Sequence, residues 1–481
     1  MTDLATDTSE IKSRAKKGAI LLSLRNLGLQ SVSMLGFFIL SILLGVRDVG
    51  IYGIVLQVIG VLNYFSDLGL SAALLQQKTY PSQSDLRTSF TIQIALSLVG
   101  VIVIAYFFPK ISQSRGFGYN ESMIFYSLLF AFISASLRTI PTILMERDLH
   151  FQKISLIDIS ENIVFYLFAV IFALLHFGSL SFAYAIILRS IVGLFLTYTT
   201  QPWTIGLELN FAVAKKLLTF GIPLQANSIL AAIKDNFSQI YLVTYLGVEN
   251  FAYLTWSQKV FRSSISLMDS ATRVTFPLFS RLQHDTQELK KSIEKTLEII
   301  ATLTFPLLAF LVSALPLFIQ IVPKYQKWHP ALVYSIPVAL SFAIASLTTP
   351  LSSAFNSVGK VKTNTKFMIM WTILTWLDYV FAKNFIAPEN FGWVILSIGL
   401  SSLIVWNVAG KVFQFSVYKI AIKPLLLGLI IFLICQLSAN NNLTSQINIL
   451  LQTLIFLLLT LVYISKFTPY LFGYIFKRAQ N

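Results

Sequence analysis

The 481-residue sequence has few charged residues and a single cysteine. Charged residues make up 12% of the chain, about half their usual share in soluble domains, whereas hydrophobic residues make up 56%. This leaves too little polar surface to cover a water-soluble globule and excludes that class of protein. The single cysteine, Cys435, excludes an intramolecular disulfide.

The sequence also lacks the motifs that bind nucleotides or metals. It contains no HExxH, no CxxC and no glycine-rich phosphate loop, and its four histidines show no metal-ligand spacing. We therefore predict a non-enzyme with no catalytic site, no metal and no cofactor, and an ATP-driven pump is not supported. The net charge of +15 follows the predicted membrane topology and does not indicate nucleic-acid binding.

Long apolar runs separated by short polar breaks fill the chain. A helix needs about 20 apolar residues to cross a hydrocarbon core of about 30 Å. The runs lie near residues 18–45, 49–76, 86–109, 120–145, 153–177, 179–201, 213–246, 248–280, 292–322, 330–356, 365–386, 391–415, 421–438 and 446–466. The sequence predicts an all-α integral membrane protein with about fourteen transmembrane helices. The first helix is expected to be retained, because no small-residue cleavage site follows the polar start.

Lysine and arginine are distributed unequally between the predicted loops. Of the 36 basic residues, six fall in outer loops and seven within the spans, which leaves 23 on the opposite side of the membrane. Cytoplasmic loops retain positive charge. The asymmetry therefore predicts that both termini are cytoplasmic.

A short phrase occurs twice in the chain. LGVRDVGIYG at residues 44–53 is similar to LGVENFAYLT at residues 246–255, so that Gly45 and Gly247 are 202 positions apart. Both phrases fall at predicted outer turns, and the offset corresponds to one six-helix unit. An even number of spans per unit gives a parallel repeat. We predict two six-helix bundles and two C-terminal helices: an N-terminal lobe at 1–202, an interfacial segment and second lobe at 203–416, and accessory helices at 417–481.

The segment between the two bundles combines apolar and basic residues. It reads WTIGLELNFAVAKKLL at residues 203–218 and contains the adjacent Lys215 and Lys216. We predict that it lies along the inner membrane surface, with the lysines near anionic headgroups. Anchoring is favoured over a role as a hinge.

One face of the predicted eighth span is charged. Its residues are separated by three or four positions, which places them on one side of a helix. They are Lys259, Arg262, Ser266, Asp269 and Arg273. A charge at the bilayer centre costs about 2.5–3.5 kcal/mol, so this face is expected to contact a wet cavity or protein partners. An ion-pair network that fastens helices is the alternative, but the net positive charge opposes complete neutralisation.

The first, second and seventh spans are also polar along one face. The side chains are Arg25, Asn26, Gln30 and Ser33, then Gln57, Tyr64, Asp67 and Ser71, then Gln225, Ser228, Asp235 and Gln239. These spans and the eighth are the repeat-related entry helices, which we predict to line a route through the membrane. The apolar thirteenth and fourteenth spans suit a lipid-facing pair.

Other charged residues have structural interpretations. Asp158 and Glu161 in the fifth span and Arg189 in the sixth are predicted to form a structural ion pair. Arg147, in an inner loop, is explained by the positive charge that cytoplasmic loops retain.

The repeated glycine turn, the inner-loop phrase LMERDLHFQKISLIDI at residues 144–159 and the fourteen-span layout resemble a known family. It is the polysaccharide transporter (Wzx-type oligosaccharide flippase) family of the multidrug/oligosaccharidyl-lipid/polysaccharide exporter superfamily. The resemblance implies alternating-access export of a polyprenyl-diphosphate-linked oligosaccharide across the cytoplasmic (inner) membrane, for surface polysaccharide biosynthesis. It implies membrane lipids and a polysaccharide polymerase or glycosyltransferase as partners. Relatives keep cations in the central cavity for the diphosphate, which Arg25, Lys259 and Arg262 match by helix and depth.

Such a substrate requires both cations and partners for sugar hydroxyls. Arginine binds anionic oxygens through charge-assisted, often bidentate hydrogen bonds, and amide side chains bind hydroxyls. The predicted substrate-binding residues are Arg25, Asn26, Gln30, Gln225, Asn227, Lys259, Arg262 and Arg273.

Two other functions remain open at this stage. A multidrug cation antiporter of the same superfamily is expected to have a net acidic cavity. An integral-membrane glycosyltransferase or polysaccharide ligase usually carries a catalytic acid or base in a sizeable outer loop, whereas the outer breaks here reach only about a dozen residues.

Acidic residues inside the spans are candidates for the binding of a coupling ion. They are Asp235, Asp378, Asp67 and Asp269. Asp235 and Asp378 match the two helices between which the lipid II flippases, which this chain resembles, hold a sodium ion. Leu374 stands where an amide ligand would help, so both H+ and Na+ remain open. An Asp235 that only neutralises Lys234 is the alternative.

Overall fold

The structure is a computed structural model. Its described residues are 28–77, 79–115, 118–439 and 444–468. Within these ranges the side chains are described except those at 63–66, 111–115, 223, 224, 226–228, 266–274, 276 and 277. Contacts between Cα atoms divide the chain into two compact units, Met1–Val243 and Thr244–Asn481. The predicted lobe boundaries at residues 202 and 416 remain a prediction.

The first unit is helical. Its elements are α1 (Gly28–Leu43), α2 (Val46–Asp67), α3 (Leu70–Gln76), α4 (Gln83–Arg115), α5 (Tyr119–Leu137), α6 (Thr139–Arg147), α7 (Phe151–Leu174), α8 (Leu180–Thr200), α9 (Phe211–Ala232), a π-helical turn (Ile233–Phe237) and the start of α10 (Ser238–Leu282). α8 packs along both α7 and α5. A core of buried apolar residues, which includes Leu70, Phe90 and Trp203, joins α3, α4 and α6 to the start of α9.

The second unit contains the rest of α10 and the helices that follow it. They are α11 (Thr286–Ile321), a 3-10 helix (Tyr325–Tyr334), α12 (Ser335–Ser357), α13 (Val361–Phe385), a 3-10 turn (Pro388–Asn390), α14 (Gly392–Ser401), α15 (Leu403–Phe413), α16 (Val417–Ala439) and α17 (Ser445–Phe467). α11 is central and packs against α12, α16 and α17. Trp256 of α10 stacks on Trp328 with ring centroids 5.1 Å apart.

Nine helices in the described part of the chain are long and apolar enough to cross a membrane. The predicted all-α membrane fold is confirmed, and the protein crosses the membrane several times. The count of fourteen remains a prediction. Three stretches expected to be single spans are each divided into two helices, at Leu68–Gly69, at Arg138 and at Ser402.

The division at Leu68–Gly69 has a packing cause. Both residues have positive φ, 46° and 77°. A methyl group on Gly221 of α9 would lie only 2.6 Å from the Leu68 carbonyl oxygen, and one on Gly69 would collide with the Gly221 carbonyl. The two backbones approach so closely that only glycine fits at either position. The end of α2 is thereby fixed against α9.

Arg147 has a specific structural role beyond loop charge, which corrects the expectation from the sequence. Its guanidinium donates hydrogen bonds to four carbonyl oxygens, those of Leu74 (2.8 Å), Leu75 (3.3 Å), Gln77 (2.8 Å) and Thr79 (2.6 Å). The last carbonyls of a helix have no intrahelical partner. Arg147 therefore caps the C-terminus of α3 and fixes the chain that follows it.

The two repeat-related glycines differ in conformation. Gly247 has φ 73° and ψ 174° and interrupts α10, with open space around any added side chain. Gly45 has φ −67° and ψ 157°, an extended conformation open to any residue, and its N–H donates to the Asp48 carboxylate at 3.1 Å. The predicted turn at Gly247 is confirmed, but only Gly247 adopts a conformation that requires glycine.

We expect Gly247→Ala to destabilise the protein and Gly45→Ala to have little effect. An alanine at position 247 would occupy a glycine-only backbone region, at a cost of about 1–3 kcal/mol. Thermal unfolding of the two purified variants in detergent measures the difference. Equal unfolding temperatures for the two variants would contradict this assignment.

Candidate functional site

The structure describes part of the predicted site. Arg25 and Asn26 lie outside the described residues, as do the side chains of Asn227, Asp269 and Arg273. Gln30 is exposed on α1. The remaining predicted residues, considered below, are Asp67 on α2, Gln225 on α9, Asp235 in the π-helical turn, Lys259 and Arg262 on α10, and Asp378 on α13.

Two cations lie on the exposed face of α10. Lys259 and Arg262 are exposed and one turn apart, whereas the nearby Trp256, Val260 and Phe261 are buried in the second unit. The helix therefore has one packed apolar face and one basic face. This basic face is defined here by Lys259 and Arg262.

Asp67 joins four helices of the first unit. Its Oδ1 accepts hydrogen bonds from the Ser71 hydroxyl at 2.5 Å, the Ser71 N–H at 3.1 Å and Gln93 Nε2 at 2.6 Å. Its Oδ2 accepts from Gln225 Nε2 at 3.4 Å. The structure thus brings together two predicted site residues, Asp67 of α2 and Gln225 of α9. The contact lies beside the close approach of Gly69 and Gly221.

Gln93 is the member of this network that the sequence analysis did not identify. It is buried on α4, in the apolar run FTIQIALSLVG. A lone amide in such a run needs a partner inside the membrane, because hydrocarbon offers none. The presence of a single amide in an apolar run is the sequence feature that could have identified Gln93.

Asp235 lies in the π-helical turn between α9 and α10, within the predicted seventh span. Its carboxylate forms an ion pair with Lys234, as the alternative interpretation expected. The Asn236 side chain contacts α2 so closely that a methyl group on Gly60 would collide with it. π-Helical turns occur frequently at functional sites. The geometry therefore shows a neutralised acid in an irregular turn, at a point of contact with α2.

The π-helical turn corrects the predicted polar face of this span. The predicted face from Gln225 to Gln239 assumes a continuous α-helix. A π turn holds about one residue more than an α-helical turn, which rotates the following residues by about 100°. Gln239 therefore does not continue the face of Gln225.

Asp378 is partly buried on α13 and accepts a hydrogen bond from the Ser397 hydroxyl of α14 at 2.8 Å. The sequence analysis did not identify Ser397. A serine offers an oxygen ligand as well as a proton, so the pair provides two oxygen atoms to a small cation. Among the described residues no group of three or more His, Cys, Asp or Glu could hold a metal ion.

The predicted structural ion pair joined Asp158 and Glu161 to Arg189; its Glu161–Arg189 contact is confirmed, and Arg138 is a further member. Glu161 is 3% exposed and bonds Arg189 Nε at 3.4 Å. Arg138, at the break between α5 and α6, binds both carboxylate oxygens, one of them at 3.2 Å. α7 is also joined to α1, because Asn162 donates to the Ser33 hydroxyl at 3.2 Å. These contacts fasten helices of the first unit.

Two curated proteins are similar to this chain in sequence. The lipopolysaccharide biosynthesis protein WzxC of Escherichia coli (strain K12) is 26% identical over 338 residues, 68% of this chain and 66% of the relative. The teichuronic acid biosynthesis protein TuaB of Bacillus subtilis (strain 168) is 23% identical over 314 residues, 63% of this chain and 62% of the relative. The chain thus matches slightly less than two thirds of the length of each.

Solved structures share the fold. The lipid II flippase MurJ in an inward closed conformation matches with a TM-score of 0.73 at 14% identity, over 94% of this chain and all of that one. An inward-facing multidrug resistance MATE family transporter matches with a TM-score of 0.59 at 14% identity, over 82% of this chain and 98% of the other. At these identities the likeness concerns the fold alone.

The family assignment rests on the match to a protein family. Residues 39–333 match the family described as "Polysaccharide biosynthesis protein". This match covers more than half of the chain. The chain therefore belongs to the polysaccharide biosynthesis protein family.

Proposed function

We propose that the protein is a flippase that moves a polyprenyl-diphosphate-linked oligosaccharide across the cytoplasmic membrane by alternating access. The observation that carries this proposal is the basic face of α10 in a protein of the polysaccharide biosynthesis family. The names of WzxC and TuaB, both polysaccharide biosynthesis proteins, and of MurJ, a lipid II flippase, support the same class of substrate.

The chemistry of the basic face suits a diphosphate. The Arg262 guanidinium offers a planar fork of donors, and Lys259 adds a second cation one turn away. Charge-assisted hydrogen bonds of this kind are strongest where water is scarce. Gln30 and Gln225 offer amide groups for sugar hydroxyls, and Arg25, Asn26, Asn227 and Arg273 extend the proposed set. The polyprenyl chain would remain in the lipid.

We assign the driving force to an H+ or Na+ gradient. Asp235 in the π-helical turn and Asp378 beside Ser397 are the proposed ion-binding acids. Binding of a cation to Asp235 would compete with Lys234 for the same carboxylate. Asp67 is a weaker candidate, because hydrogen bonds from Ser71, Gln93 and Gln225 already occupy it.

The proposed setting is the cytoplasmic membrane, with both termini in the cytoplasm. The polysaccharide polymerase or a glycosyltransferase would act on the substrate before or after its translocation. This orientation follows from the distribution of Lys and Arg between the loops.

The multidrug cation antiporter is the second candidate, because the MATE fold is similar. A cationic drug would be repelled by Lys259 and Arg262 on the exposed face of α10. Efflux of a lipophilic cation such as ethidium from cells that express the protein tests this candidate. A membrane glycosyltransferase or ligase would instead form product from a sugar donor in the same vesicles.

We expect Arg262→Ala to reduce transport by about 10- to 100-fold, since a hydrogen bond to a charged group contributes about 1.5–3 kcal/mol. Arg262→Lys should restore part of the activity, because it keeps the charge but not the fork. The measurement is uptake of a defined polyprenyl-diphosphate oligosaccharide into inverted membrane vesicles.

Arg281→Ala is the matched control for Arg262→Ala. Arg281 lies on the same helix, exposed at its end, about 28 Å from Arg262 along the axis. Its removal should leave uptake unchanged. Normal uptake by Arg262→Ala at normal abundance would show that the basic face is structural.

We expect Asp235→Asn and Asp378→Asn to keep substrate binding and to lose gradient-driven uptake. The amide keeps the size of each side chain but cannot exchange a proton or neutralise a cation. Uptake is measured under an imposed sodium or proton gradient and compared with equilibrium binding of the same substrate.

Asp148→Asn, in the turn between α6 and α7, is the control acid for this pair. It should respond to the gradient as the unaltered protein does. Undiminished gradient-driven uptake in both Asp235→Asn and Asp378→Asn would eliminate the proposed ion site without affecting the assignment of substrate.

A further inference from the structure

The segment between α8 and α9 is extended and is bound to α4. Thr91 Oγ1 accepts a hydrogen bond from the Glu208 N–H at 3.0 Å, and Thr88 Oγ1 accepts from the Asn210 N–H at 3.2 Å. The Ser84 hydroxyl donates to the Glu208 carboxylate. Ser84, Thr88 and Thr91 are separated by four and three residues, so they form one face of α4. The segment follows this face.

Gly206 shows how closely the segment approaches the helix. A methyl group at this position would lie 2.5 Å from Arg87 Nε. Any larger residue would displace either the arginine or the segment. Gly206 and Glu208 therefore face α4.

The alternate side chains face away from the protein. In an extended chain, successive side chains point to opposite sides. The exposed fractions are 54% for Ile205, 72% for Leu207, 52% for Leu209 and 79% for Phe211. We call these four side chains the apolar row. Large contiguous apolar surfaces on a protein mark a binding surface for another molecule or for lipid.

The position of the apolar row identifies what covers it. The segment follows the C-terminus of α8 and lies along the first turns of α4, both of which are long and apolar enough to cross a membrane. Its contacts extend to Thr91, about 12 Å along α4 from Gln83. The row is therefore at the membrane end of two spanning helices. Exposed Lys215 and Lys216 follow about one turn after Phe211.

We propose that residues 205–210 form an extended interfacial segment. The apolar row, which ends at Phe211 in the first turn of α9, enters the lipid bilayer at the boundary between headgroups and hydrocarbon. Lys215 and Lys216 would contact anionic headgroups beside it. Amphipathic helices bind membranes at this depth through the same combination of an apolar face and basic residues. Here an extended segment achieves it, because hydrogen bonds to α4 satisfy two of its backbone N–H groups.

The extended segment also fixes the position of α9. Asn210, the last residue of the extended segment, accepts hydrogen bonds from the N–H groups of Ala212 and Val213 and so caps the N-terminus of α9. Lipid on one side and α4 on the other would hold the start of α9 at a fixed depth. This inference is independent of the identity of the transported substrate.

Site-directed fluorescence in lipid nanodiscs tests the proposal. Cys435 is the single cysteine, so Cys435→Ala gives a background for one label at a time. Bimane is attached at Leu207→Cys or Leu209→Cys in nanodiscs of phosphatidylcholine and phosphatidylglycerol. Brominated lipids should remove most of the bimane fluorescence at both positions, and aqueous iodide should have little effect.

His284→Cys is the control, an exposed position in the turn before α11. Its label should respond to iodide and not to brominated lipid. Iodide quenching at 207 and 209 equal to that at 284 would overturn the proposal in favour of a water-exposed row. Protection from both quenchers would overturn it in favour of a protein partner. If either labelled variant fails to fold, Ile205→Cys and Phe211→Cys provide the same test.

Discussion

Hydrocarbon offers no hydrogen bonds, and this constraint determines how the polar side chains of the protein are arranged. Glu161, almost fully buried, is bound by Arg138 and Arg189. Asp67 is bound by serine and glutamine side chains from three other helices. Each acid therefore fastens helices together, because moving one helix away would leave a charge without partners in a medium that cannot solvate it.

The charged side chains of the protein differ in how far they are enclosed. Glu161 is enclosed, with two cations around it, whereas Lys259 and Arg262 share the exposed face of α10. A buried charge that is satisfied by its neighbours has little capacity to bind anything else. In the proposed function, Lys259 and Arg262 are the cations that bind the anionic substrate.

Long apolar runs predicted the helices well, because length and hydrophobicity are properties of a contiguous segment. The breaks were not predicted, because they depend on residues distant in sequence. Leu68 and Gly69 adopt positive φ against Gly221, more than 150 positions later. Arg147 was interpreted as loop charge, although it binds carbonyls about 70 positions earlier. The pairing of Asp67 with Gln225 likewise required the fold, although polarity marked both residues as candidates.

The π-helical turn at Ile233–Phe237 affects how the chain is compared with its relatives. Such a turn represents a local insertion of about one residue into an α-helix. A relative in which α9 continues into α10 without a π turn would align with a one-residue gap here. An alignment without that gap would place every later residue of α10 one position out of register. Equivalences drawn for Asp235 and for residues beyond Phe237 therefore depend on where that gap is placed.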